Sequence, residues 1–157
     1  MSKVGDDMEY LMTILRCAPV ALQLAGGLVV ITILSLSGSI TDILNHSKVI
    51  ATIPNDKSPR IYLNKELTRT SVEKNCEQVF SAIYIVLGTL GAVWAGDTTA
   101  SGFGDMVVIA ALAAFLWGIA KIVSNCIAKQ NADRVRSIQR SEKTKGVIAY
   151  QKIHEDN

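Results

Sequence analysis

Charge is what this chain lacks over long distances. No Asp, Glu, Lys or Arg lies between Arg16 and Asp42, a run of 25 residues. Residues 79–96 are also uncharged, and residues 106–128 hold one charge, Lys121. A helix in a water-soluble globule usually runs 8–20 residues and keeps a polar face, so uninterrupted apolar runs of this length exclude an ordinary soluble fold. The signals of chemistry are missing as well. No Gly-rich phosphate loop, nucleophile elbow or pair of catalytic carboxylates is present, which argues against an enzyme, a cofactor and a small-molecule substrate. His46 and His154 have no Cys, His or carboxylate at ligand spacing and read as surface histidines.

Cysteine is scarce. Cys17, Cys76 and Cys126 form neither a disulfide framework nor a metal-binding spacing, and read as three free thiols. The N-terminal 16 residues set Lys3 and Arg16 against Asp6, Asp7 and Glu9, so they lack the positive region of a cleavable signal peptide. A net charge of +2 is too small for a nucleic-acid binder.

What is present is a pattern of three apolar stretches, each about as long as the 20 residues a membrane-spanning helix needs. The expected fold class is therefore an all-α integral membrane protein with three transmembrane helices. Residues 1–16 form a short amphipathic N-terminal segment, with Met8, Leu11, Met12 and Leu15 at i, i+3, i+4 and i+7. Residues 17–41 are the first span, and Pro19 either starts it or kinks its entry. Residues 42–77 are a polar loop. In it "KVIATI" and "RIYL" flank "PNDKSP", which suggests a small β-hairpin. Thr70 and Glu73 read as a capping box that opens the helix leading into the second span, residues 78–96.

Residues 97–105 are a turn bracketed by Asp97 and Asp105, the latter expected as the N-cap of the third span. That span covers residues 106–128 and pairs with the second as a helical hairpin. Lys121 lies near one end, where its stem can snorkel. At the centre of a span a lysine costs about 2.5–3.5 kcal/mol. Residues 129–157 are a basic tail. Ala128, Ala132, Val135 and Ile138 mark a helix that continues to about Ser141, and residues 142–157 are expected to be loosely ordered.

Orientation follows from the basic residues. With three spans, the 42–77 loop and the segment from Lys121 on share one side and carry 14 Lys and Arg, against 2 in the N-terminal segment. The positive-inside rule puts the loop and tail in the cytoplasm and the N-terminus and 97–105 turn outside, in what is expected to be a bacterial inner membrane.

Two sets of residues stand out as candidate contacts. Gly88, Ala92 and Gly96 on the second span, and Ala110, Ala114 and Gly118 on the third, recur every fourth position. Small residues at this spacing let helix backbones approach within a membrane. They pack the two spans on each other, or they dock the protein onto itself or onto other subunits. Arg134, Arg136, Arg140, Lys143 and Lys145 cluster just beyond the third span, where they contact lipid headgroups or a partner.

No Asp, Glu, Arg or His falls mid-span, so the usual mark of an ion-coupled transporter is absent. The pattern implies a non-catalytic membrane subunit of a larger bacterial assembly, of secretion or conjugation type, with the lipid bilayer and other membrane subunits or itself as partners. A second expectation comes from topology. Three spans, an outside N-terminus and a basic cytoplasmic tail are similar in arrangement to phage class I holins, which implies a self-assembling pore.

Overall fold

The computed structural model describes residues 3–51, 57–96 and 102–155, with side chains described over 7–48, 62–96, 102–142 and 144–145. Every element in it is a helix: α1 (Lys3–Ala51), α2 (Lys57–Ala95) and α3 (Phe103–Glu155). All three are long and apolar enough to cross a membrane. The reason for helix is the solvent. A bilayer offers no water to backbone N–H and C=O groups, and a helix satisfies them within its own segment.

The helices also run far past what a membrane requires. α1 holds 49 residues and α3 holds 53, against the ~20 that suffice for a span. This corrects several expectations. Among the described residues there is no strand, and the described parts of both hairpin runs, residues 48–51 and 60–63, are helical. The intervening residues 52–56 lie outside the described residues. Adding a residue to a formed helix avoids the cost of nucleation, so a few β-branched side chains do not stop it.

Thr70 and Glu73 likewise do not cap a helix start, because α2 begins at Lys57 and both lie buried in its interior. α3 does not end near Ser141 but continues to Glu155, through a tail free of proline and rich in Arg, Lys, Gln and Glu. Pro19 does not start α1; it sits inside it. Asp105 falls in the first turn of α3, two residues past its start, rather than at the N-cap.

Contacts divide the chain into two units. The first comprises residues 1–35 and 75–123, the second residues 36–74 and 124–157. In the first unit α1 and α3 run parallel and α2 runs antiparallel to both. The pairings show it: Arg16 meets Asp105 and Ala25 clusters with Ala113, whereas Thr32 meets Glu77 and Gln23 meets Gly88. The seam is built from small side chains. Cys17 and Ala21 pack with Ile109, and Ala25 and Val29 with Tyr84, Ala113 and Ala120. Alanine at these positions brings the helix axes close, which is how helices gain contact where lipid is as apolar as a leucine. In the second unit Thr70, Glu73, Ala128 and Ala132 are buried, and Lys65 bonds Asp133 between α2 and α3 at 3.1 Å.

The tightest point of the first unit is where α2 crosses Pro19. A Cβ on Gly88 would lie 2.8 Å from Gln23 Cγ and 2.9 Å from the Pro19 carbonyl oxygen. A Cβ on Gly27 would meet nothing within 4 Å. Gly88→Ala is therefore expected to destabilise the bundle by about 1–3 kcal/mol through overpacking against backbone. Gly27→Ala is expected to stabilise it by about 0.4–1 kcal/mol, since it removes chain entropy at no steric cost. Thermal loss of helical circular dichroism in mild detergent measures both, and equal shifts of the same sign would contradict this packing.

Candidate functional site

Polar side chains inside an apolar bundle are costly unless paired, so their positions identify where the fold is constrained. The first unit has two such places. At one, the Arg16 guanidinium on α1 donates to Asp105 Oδ2 on α3 at 2.6 Å. Cys17 Sγ lies 3.9 Å from the Asp105 carbonyl oxygen beside it. At the other, each helix contributes one group. Lys121 Nζ on α3 donates to Glu77 Oε1 on α2 at 2.9 Å, and Thr32 Oγ1 on α1 lies 2.5 Å from Glu77 Oε2. The threonine hydroxyl also lies 2.7 Å from the Val29 carbonyl, so its one proton has two acceptors.

Glu77 is the anchor of this cluster. Its side chain is 1% exposed and both carboxylate oxygens are engaged, while Lys121 keeps 38% of its side chain accessible. The two clusters share one geometry. Arg16 and Asp105 are 89 positions apart, and so are Thr32 and Lys121. They are thus 16 residues apart on both α1 and α3, or about 24 Å of helix rise, somewhat less than the ~30 Å hydrocarbon core. Between them the remaining buried polar groups face helix carbonyls. Ser81 Oγ donates to Gly26 O at 3.4 Å, and the Tyr84 hydroxyl donates to Leu116 O at 2.7 Å.

The residues singled out by sequence fall as follows. Gly88 is buried and faces α1 rather than α3, and Ala92 is half-buried. Gly96 ends α2 with a φ of 71°, and its N–H donates to the Ala92 carbonyl at 3.2 Å, so it serves as a helix terminator. Ala110 and Ala114 are exposed and Gly118 is half-buried, with nothing within 4 Å of a Cβ at that site. The α3 positions that enter the seam are instead Ile109, Ala113 and Ala120. In the tail Arg134, Arg136, Arg140 and Lys145 are exposed on α3, and the side chain of Lys143 lies outside the described residues, as does Asp97.

Sequence reasoning misses the three-helix cluster because Glu77 reads as the last residue of a polar loop. A signal for it exists. Thr70, Glu73, Glu77, Ser81, Tyr84 and Gly88 are spaced 3, 4, 4, 3 and 4, one residue per helical turn along one face, and all six are buried.

Among the described residues no three His, Cys, Asp or Glu side chains gather as metal ligands would, and Cys17, Cys76 and Cys126 are unbridged. The chain matches no protein-family model, no curated protein and no solved structure.

Removing one partner of a buried ion pair leaves an uncompensated charge, whereas removing both does not. Lys121→Met alone is expected to cost about 3 kcal/mol, the low end of the range because the lysine is partly accessible. The double change Glu77→Gln with Lys121→Met is expected to restore most of that loss. Chemical or thermal denaturation of the parent, the two single variants and the double variant in one detergent measures the coupling, and additive single effects would contradict a shared cluster.

Proposed function

We propose that this protein is a non-catalytic integral membrane subunit that joins a larger bacterial inner-membrane assembly, of secretion or conjugation type, through the outward faces of its helices. The observation that carries this reading is the small-residue stripe on α3. Ala110, Ala114 and Gly118 line the outside of the first unit, leaving room for a second helix to approach. The rest of the exterior supports it. Only 17% of the most apolar stretch of α2, and of α3, is buried within the chain. The polar side chains of the same segment are spent holding the three helices together, which leaves the surface as the part available to partners.

The proposed orientation has the N-terminus outside, with the 42–77 segment and the tail in the cytoplasm. Its support is the 14-to-2 division of Lys and Arg. Reporter fusions at residues 60, 101 and 150 test it, with cytoplasmic signal expected at 60 and 150 only.

Assembly is tested by cross-linking in native membranes. The expected result is a discrete higher-mass species that Ala114→Leu or Gly118→Leu abolishes while the helical content stays unchanged. Expression of the protein alone is expected to leave membrane potential and culture density intact. An abrupt collapse of potential would overturn the subunit reading in favour of a pore.

A further inference from the structure

A groove of about 1060 Å³ opens on the first unit between the N-terminal part of α1 and the last turns of α2. Its floor and walls are apolar: Leu15, Pro19 and Leu22 from α1, and Leu87, Gly91 and Trp94 from α2. Gly91 makes the floor low, because α2 there carries no side chain over Pro19. The groove runs along two antiparallel helices that are long and apolar enough to cross a bilayer. A linear apolar guest aligned with the helix axes therefore fits it.

The mouth of the groove has a different chemistry. Glu9, Thr13 and Arg16 line it on α1. Glu9 and Arg16 are seven residues apart, two turns or about 10.5 Å, and so lie on one helix face with Thr13 between them. The Glu9 carboxylate is exposed and engages no cation among the described residues. Arg16 Nη2 donates to Asp105 Oδ2, and 47% of the Arg16 side chain is accessible. Trp94, 91% exposed, stands at the same end as an amphipathic ring suited to the headgroup level. The mouth thus offers a carboxylate for a cationic donor and a guanidinium edge for a phosphate, in a row above an apolar channel.

We infer that this groove is a phospholipid site selective for an ethanolamine headgroup, with one acyl chain lying along Leu15, Leu22 and Leu87. The phosphate meets the Arg16 edge, and the primary ammonium donates to Glu9. A choline headgroup has no N–H to donate, and a glycerol headgroup adds no positive charge, so neither offers the carboxylate a charged donor. The inference rests only on the chain crossing a bilayer and is independent of which assembly it joins.

The test uses Trp94 as reporter. The chain has two tryptophans, so Trp117→Phe leaves Trp94 alone. The full chain is reconstituted into phosphatidylcholine bilayers that carry a small fraction of brominated-chain phosphatidylethanolamine, phosphatidylglycerol or phosphatidylcholine. The brominated ethanolamine lipid is expected to quench Trp94 with about fivefold higher apparent affinity than the other two, the order of one charge-assisted hydrogen bond at a wet rim. Glu9→Gln, at an exposed position, is expected to erase that preference while quenching itself persists. Ala95→Phe, which fills the groove from α2, is expected to lower quenching by all three lipids. Equal quenching by the three headgroups, or a preference that survives Glu9→Gln, would overturn the proposal and leave only a non-selective lipid shell.

Discussion

The structure of the first unit depends on one constraint, the cost of a buried carboxylate. Glu77 is 1% exposed in a bundle whose surroundings are apolar, and an unpaired carboxylate there is among the most expensive groups a fold can hold. It is tolerated because α3 supplies Lys121 and α1 supplies Thr32 to its two oxygens. A purely apolar seam of alanine and valine would tolerate a slip of one helical turn at little cost. A pair of point contacts to a single carboxylate would not. The cluster thus does for register what a buried polar residue does in a coiled coil, and the Arg16–Asp105 pair fixes the same α1–α3 offset about 24 Å away.

Close packing then follows from side-chain size. With register fixed, α1 and α3 meet through Ala21, Ala25, Ala113 and Ala120, and α2 meets α1 where Gly88 and Gly91 pass Pro19. Proline inside a helix leaves one carbonyl without its intrahelical donor and normally weakens the helix. Here the ring fills the space that Gly91 vacates on the facing helix, and the Pro19 carbonyl oxygen and Gln23 fill the space at Gly88. That converts a local defect into a contact only small residues allow.

Much of this is legible in the sequence, and the rest is hidden for identifiable reasons. The three spans are legible because an apolar run of 18 or more residues is the usual mark of a membrane-crossing helix. Their continuation into helices of 39 to 53 residues is not. The runs "KVIATI" and "RIYL" carry β-branched residues, and a window-by-window reading weighs these without knowing that a long helix already leads into them or away from them. Glu77 is hidden by its position at the edge of a hydropathy window, where a charged residue looks like the end of the span rather than a buried member of it. Hydropathy averages over all faces of a helix, and only the three-and-four spacing from Thr70 to Gly88 separates the buried face from the rest. The same blindness applies to the small-residue stripes. Spacing by four shows that a face exists, but whether it turns inward, as Gly88 does, or outward, as Ala110 and Ala114 do, depends on the rotation of the helix.

That rotation bears on function. In a soluble protein the interior is apolar and the surface polar, and chemistry is sought in polar clefts. Here the outside of the first unit is apolar as well, with leucine, valine and phenylalanine exposed, while the few polar groups inside bond across the helices. Because Glu77, Lys121, Ser81 and Tyr84 already bond across the helices, using them in a reaction would break the contacts that set the register. The groups within reach of another molecule lie on the exterior: the Ala110–Gly118 stripe, the apolar belt, and the groove whose mouth holds Glu9 and Arg16. These are the surfaces to which we assign the proposed partner helix and lipid.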